Sequence, residues 1–335
     1  MFLLLVSFLA SAILCGVGLY LLSNLLPKSF LAAGFNARSN HSIAARQIGG
    51  LALIPSILTS LLMFGSDLGL AIELVLCLSA ASILLWIIGA FDDRFDLSIS
   101  IRFGSQFLAA ALVIYGLGSD FRILPEMLPH WLEIIFIIFS LVAAINVTNF
   151  MDGLDWMTFV GIGIPMAGLA LLATFQLAGL ESGTLGAVIA GGLCGFAIFN
   201  RPPASIFLGD SGSFPLGLLT GTTLLLLAKE THITVALILP LYYILDAGTT
   251  IVLRGAQGEN ILKAHSKHAY QIAKRSGWSV SKVVGHVALL NVILLACAAA
   301  ILKFDHLISQ IIFLLIAVVL VLLILLDFRG HFRKL

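Results

Sequence analysis

The sequence predicts an all-α, polytopic integral membrane protein of about eleven transmembrane helices, with the N-terminus outside and the C-terminus cytoplasmic. Three observations carry that expectation. Of 335 residues, 60% are hydrophobic and only 10% charged, whereas a soluble domain carries roughly a quarter charged residues. The apolar residues come in long runs, many near the ~20 residues that a helix needs to cross a bilayer. The basic residues fall overwhelmingly on one side of those runs.

In chain order, the apolar runs bounded by charge, Pro or Gly lie at 2–26, 48–64, 70–90, 103–119, 131–149, 157–178, 184–200, 213–228, 232–253, 283–302 and 307–326. The first lacks a basic leader and a small-x-small cleavage site, so it is expected to stay as a span. With the N-terminus outside, the inner connections carry fifteen Lys and Arg residues, among them Arg38, Arg46, Lys263, Arg333 and Lys334. The outer ones carry three, Arg122, Lys229 and Lys303. The whole chain, 1–335, is expected to be one transmembrane domain, with inner loops at about 27–49, 91–103, 149–157, 200–213 and 254–282. Cys15, Cys77, Cys194 and Cys297 each stand alone in an apolar run, as small buried hydrophobes do.

On this topology the acids sort themselves. Asp92, Asp93, Asp96, Asp152, Asp155 and Asp210 all fall on the inner side, where the basic residues already are, while the outer acids are scattered singles. The clustering predicts a polar site at one membrane face. In "FDDRFDLS" a helical continuation puts Asp92 and Asp96 on one face and Asp93 about 100° away. The competing reading is a solvated helix end in which Arg94 neutralises one acid. In "NVTNFMDGLDWMT", Asn146, Asn149, Asp152 and Asp155 recur at steps of three and would form one stripe of hard oxygen ligands on a helix. In "FLGDSGSFPLG", Gly209 and the small Ser211 let backbone N–H groups approach phosphate oxygens, with Asp210 beside them for a metal.

The inner segment 254–282 adds His265, Lys267 and His268, and "RSNHSIAARQIGG" adds Arg38, His41 and Arg46. Lys274, Arg275 and Lys282 read as topology signals. Asp246, inside an apolar run, is either a functional acid or a structural partner for a neighbouring helix.

Together and in this order, "RQIGG", "DDRFDLS", "NVTNFMDGLD", "FLGDSGS", the Asp246…Arg254 pair and the histidine-bearing loop resemble one family. It is the polyprenyl-phosphate N-acetylhexosamine-1-phosphate transferases, which include the peptidoglycan lipid I synthase and the initiating transferases of enterobacterial and O-antigens. The resemblance implies transfer of a sugar-1-phosphate from a UDP-N-acetyl sugar to undecaprenyl phosphate, with release of UMP. It further implies an active site on the cytoplasmic face of a bacterial inner membrane, Mg²⁺ or Mn²⁺ as cofactor, the lipid bilayer and a homodimer as surroundings, and no nucleic acid.

Residue by residue, it implies that Asp210 and Asn149 bind the metal and that Asp92 and Asp93 meet the lipid phosphate. His268 joins these acids as a catalytic candidate. Asn146, Asn149, Asp152, Asp155, Arg46, Gly209, Ser211, His265 and Lys267 are substrate-binding candidates. The sequence departs from the family pattern in two places: Trp156 replaces a second glycine, and Tyr270 and Gln271 stand where further histidines are usual. The form "AHSKHAY" looks more like the O-antigen branch than the lipid I branch. Two rival readings use the same residues, a secondary transporter with intramembrane carboxylates and a metal-dependent lipid-phosphate hydrolase.

Overall fold

Every apolar run of the sequence is helical in the computed structural model, which describes residues 1–31, 45–260 and 265–330. Arg38, His41, Lys263, Arg333 and Lys334 lie outside the described residues. The helices are α1 (Phe2–Leu25), α2 (Gly49–Phe64), α3 (Ile72–Phe95), α4 (Ile99–Leu117), α5 (His130–Met151), α6 (Ile164–Thr174), α7 (Leu180–Ala197) and α8 (Asp210–Glu230). They continue with α9 (Ile233–Ile238), α10 (Leu241–Ala256), α11 (Ala269–Arg275), α12 (Val280–Phe304) and α13 (Leu307–Phe328). A five-residue π-helix, Phe159–Gly163, leads into α6.

Eight of these helices are long and apolar enough to span a bilayer: α1, α3, α4, α5, α7, α8, α12 and α13. The remaining apolar runs form shorter helices. α2 has 16 residues, the run 157–178 is divided between the π-helix and α6, and the run 232–253 breaks at Pro240 into α9 and α10. Pro240 explains the break, because proline supplies no N–H to the helix ladder and its ring crowds the preceding turn.

The helices are layered by side-chain size. In α7 and α8 the apolar windows are 83% and 89% buried, against 28% in α1 and 22% in α13. Small residues let the inner helices approach so closely. A β-carbon at Gly217 of α8 would stand 2.6 Å from Ile145 Cα of α5, and one at Gly191 of α7 would stand 2.1 Å from the Phe8 carbonyl oxygen of α1. The periphery keeps large apolar side chains outward, as Leu307, Ile311 and Leu315 do on α13, which suits a hydrocarbon solvent.

Three boundaries differ from the sequence expectation, and each matters for the site. α3 continues past its apolar run through Asp92 and Asp93 to Phe95, and stops at Asp96, which takes a left-handed conformation (φ 50°). α5 stops at Met151, so Asn146 and Asn149 are helical while Asp152 and Asp155 lie in the turn beyond, and the four do not form one helical stripe. α8 begins at Asp210, which makes "GDSGS" a helix N-terminus.

Candidate active site

The ends of α2, α3, α5 and α8 meet at one end of the bundle, and glycine makes the meeting possible. β-Carbons at Gly50 of α2 and Gly89 of α3 would each fall within 2.5 Å of backbone atoms of residues 210–212. The segment ahead of α2 pairs in parallel with the segment ahead of α8. Phe207 N–H donates to the Arg46 carbonyl (2.8 Å), and Gly49 and Gly50 N–H donate to the carbonyls of Phe207 and Leu208 (2.9 and 2.8 Å).

On that frame Asp93 caps α8. Its Oδ1 accepts the Asp210 N–H (2.7 Å) and its Oδ2 the Ser211 N–H (3.1 Å), groups that a helix N-terminus leaves without an internal partner. Gly209 is required twice over: its φ of 74° is left-handed, and a β-carbon there would lie 2.7 Å from Asp93 Oδ2. Asn149, from α5, donates Nδ2 to Asp210 Oδ1 (2.5 Å) and to Ser213 Oγ (2.9 Å). Asp92 is buried, with Oδ1 accepting the Leu97 N–H (2.6 Å) and Oδ2 paired with Arg102 Nη1 (3.2 Å). The cation beside Asp92 is therefore Arg102 of α4. Arg94, expected in that role, lies over the Phe95 ring, 5.5 Å from its centre.

Asp92 and Asp93 both face Asp210, so three carboxylates share one space. Among the described residues no three His, Cys, Asp or Glu side chains form a metal cage. The donor set nevertheless fits a cation of the magnesium type, which is bound by one or two carboxylates plus substrate phosphates and keeps water for the rest. Both oxygens of Asp92 and of Asp93 are already engaged, and Asp210 has an oxygen beyond its bond to Asn149. A half-turn of the Asn149 amide would present its Oδ1 beside it.

The turn after α5 holds the next acids. Asp152 accepts a hydrogen bond from Thr158 Oγ1. Burial, with smaller contributions from the charges of Asp93 and Asp155, pushes its carboxyl up to about 7, against the opposing pull of Thr158. Asp155 is buried and its Oδ2 accepts the Ala204 N–H (3.0 Å), which ties the turn to the segment leading into α8. Trp156, directly after Asp155, adopts φ 63°. That conformation accounts for a glycine at this position in the family pattern. Here the tryptophan is held instead by its N–H to Asn200 Oδ1 (2.7 Å) and its indole Nε1 to the Ala197 carbonyl (2.8 Å).

Beside the carboxylates lies a cavity of about 350 Å³, walled by Arg102, Phe103 and Gln106 of α4, Asn146, Asn149 and Phe150 of α5, Phe214 of α8, and His265, His268, Tyr270 and Gln271. This volume falls in the range of small-molecule sites, about 300–1,000 Å³. Asn146 Nδ2 bonds Gln106 Oε1 (2.7 Å), an amide pair on the wall. His265 is pushed down to about 4, chiefly by burial and then by the charges of His268 and Arg254. It is neutral near pH 7.

Two expected ligand-binding residues are occupied elsewhere. Arg46 donates Nη1 to the Leu26 carbonyl (3.2 Å) and Nη2 to the Ser23 carbonyl (3.1 Å), closing the C-terminus of α1. Lys267 is paired with Glu259, which also accepts from Arg254 Nε (3.0 Å). Sequence reasoning missed Gln106, Asn200 and the part played by Arg102. Gln106 did carry a signal, a lone amide inside an apolar run; Arg102 was absorbed into the topology pattern.

Fold and geometry together define a class: a polytopic membrane protein with an acidic site, suited to phosphate and a divalent cation, at one end of its helices. Within that class, residues 75–228 match the model of Glycosyl transferase family 4. The matched segment runs from within α3 to α8 and contains Asp92, Asp93, Asn149 and Asp210. Arg46, Asp246, His265 and His268 lie outside it.

Proposed function

We propose that the protein transfers an N-acetylhexosamine-1-phosphate, or a deoxy derivative, from a UDP-sugar to undecaprenyl phosphate and releases UMP, initiating a lipid-linked envelope glycan of the O-antigen type. The observation that carries the reading is the convergence of Asp92, Asp93 and Asp210 with Asn149 at a glycine-opened helix N-terminus, inside the segment that matches the family. A phosphate oxygen of the lipid would attack the sugar-bearing phosphorus as the bond from that phosphorus to the UMP oxygen breaks. Such a transfer needs positioning and charge neutralisation more than covalent help from the protein.

In this reading Asp210 and Asn149 hold Mg²⁺ or Mn²⁺, which would neutralise charge on the diphosphate. Asp93 fixes the α8 N-terminus against it. Asp92, steadied by Arg102, faces the lipid phosphate and accepts its proton where that phosphate arrives protonated. The cavity lined by Asn146, His265 and His268 receives part of the sugar nucleotide. Asp152 and Asp155 shape the turn beside it. The excess of Lys and Arg in the expected inner connections supports placing this site on the cytoplasmic face of a bacterial inner membrane.

The test is UMP release by the purified chain from a panel of UDP-N-acetyl sugars. Release that requires undecaprenyl phosphate and stops in EDTA supports the transferase. Release without lipid would favour the hydrolase, and no release with any sugar of the panel would overturn the reading. The transporter reading is disfavoured because the clustered acids sit at one end of the helices, whereas coupling sites lie near the bilayer midplane.

A further inference from the structure

Asp246 takes no part in the site described above, and its surroundings are unusual. It lies on α10 and is fully buried. Its Oδ1 accepts the Ala269 N–H at the start of α11 (2.8 Å) and the Thr250 hydroxyl (3.4 Å), and its Oδ2 accepts the Tyr242 hydroxyl (3.3 Å). The same Oδ1 stands 3.7 Å from Nδ1 of His268, which is 2% exposed. That nitrogen is buried and completes no hydrogen bond. It has two suitors: the Gln271 N–H, which pairs with it in the capping box at the start of α11 without reaching full hydrogen-bond geometry, and the Asp246 carboxylate.

The suitors demand opposite tautomers. A bond from Gln271 N–H needs a lone pair on Nδ1 and leaves the proton on Nε2; a bond to Asp246 needs the proton on Nδ1. We infer that Asp246 is a positioning residue for His268: it holds the proton on Nδ1 and leaves Nε2 for the cavity that His268 lines. A charge-assisted bond to a carboxylate is roughly twice as strong as one between neutral groups. At 3.7 Å the pair is short of bonding distance, as bonds of this kind often are before a ligand closes the site. The ring lies among His265, Phe150 and Tyr270, with centroids 4.9, 6.1 and 6.0 Å away. Neutral His268 then offers Nε2 as an acceptor, and Asp246 stabilises the imidazolium whenever Nε2 takes a proton.

The functional consequence rests on the transferase reading, but the tautomer does not, and the test separates the two. In ¹⁵N NMR of the full-length chain in detergent, with the His268 signal identified by its loss in His268→Gln, wild-type His268 is expected as the Nδ1–H form. An Nε2–H form in wild type would overturn the inference without any Asp246 variant. Asp246→Asn, which keeps an oxygen for the Ala269 N–H, is expected to move His268 to Nε2–H and lower turnover about tenfold to hundredfold. In a His268→Gln background it should add less than about twofold, since one residue acts through the other. Equal losses in both backgrounds would reduce Asp246 to a cap of α11. Absence of wild-type turnover with the correct tautomer would count against the transferase reading alone.

Discussion

Buried carboxylates occur at both ends of this bundle, and the two ends treat them differently. At the far end Glu133 is buried alone, its charge met by Arg122 and by the N–H groups of Ile123 and Leu124. Glu230, half-buried at the end of α8 with Glu181 nearby, accepts from the backbone and hydroxyl of Ser182 at the start of α7. Each of these acids closes a loop or a helix end. At the near end of α8, three aspartates crowd together, and among the described residues the cation bonded to them is Arg102. A solitary, saturated acid is a structural device. Three acids facing one another repel, and in the proposed reading a cation between them and phosphate would relieve that repulsion.

The largest effect is expected from Asp210→Asn. It should cut UMP release by at least about a hundredfold, the scale of losing one electrostatic stabiliser of a transition state, while melting temperature holds or rises because a repelling charge is gone. A variant that retains turnover would erase the difference between the two ends. The mirror experiment is Glu133→Gln, expected to cost about 2 kcal/mol of stability through Arg122 and the two N–H groups. Turnover per folded molecule should stay unchanged; denaturation and assay of the same sample check it.

These two variants also show what was legible beforehand. The apolar runs announced nearly every helix, and Asp92, Asp93, Asn149 and Asp210 stood out as charge and amide against an oily background. The rest depended on where the helices stop. Asn146 and Asp152 share a three-residue rhythm, but α5 ends between them. Arg46 stands in a promising motif, yet its guanidinium satisfies carbonyls at the end of α1, a partner 20 residues away that no spacing rule reveals. Asp246 remained ambiguous because its partners come from α11, a short helix in a polar segment where apolar periodicity is silent.

A smaller effect separates backbone from side chain at Trp156. Trp156→Ala and Trp156→Gly both lose the indole and its bond to Ala197, but only glycine adopts φ 63° freely. The glycine variant should be the more stable by about 1 kcal/mol, measured by thermal melting; equality would show that the left-handed turn costs nothing.

The smallest concerns pH. Asp152 titrates near 7 in the folded chain and about 3.9 when unfolded, so the folded state keeps a proton that the unfolded state has lost. Stability attributable to this group therefore falls as pH rises from about 4 through 7. Between pH 5 and pH 8 the wild type should lose melting temperature relative to Asp152→Asn. Parallel curves would remove the burial argument.

The central claim is that the crowded aspartates form a cation site and the solitary Glu133 does not. Mn²⁺ binding followed by electron paramagnetic resonance, on the purified chain with a UDP-N-acetyl sugar present, tests it most directly. The account predicts that wild type and Glu133→Gln bind one Mn²⁺ alike and that Asp210→Asn loses it. Mn²⁺ bound to Asp210→Asn as tightly as to wild type would contradict it.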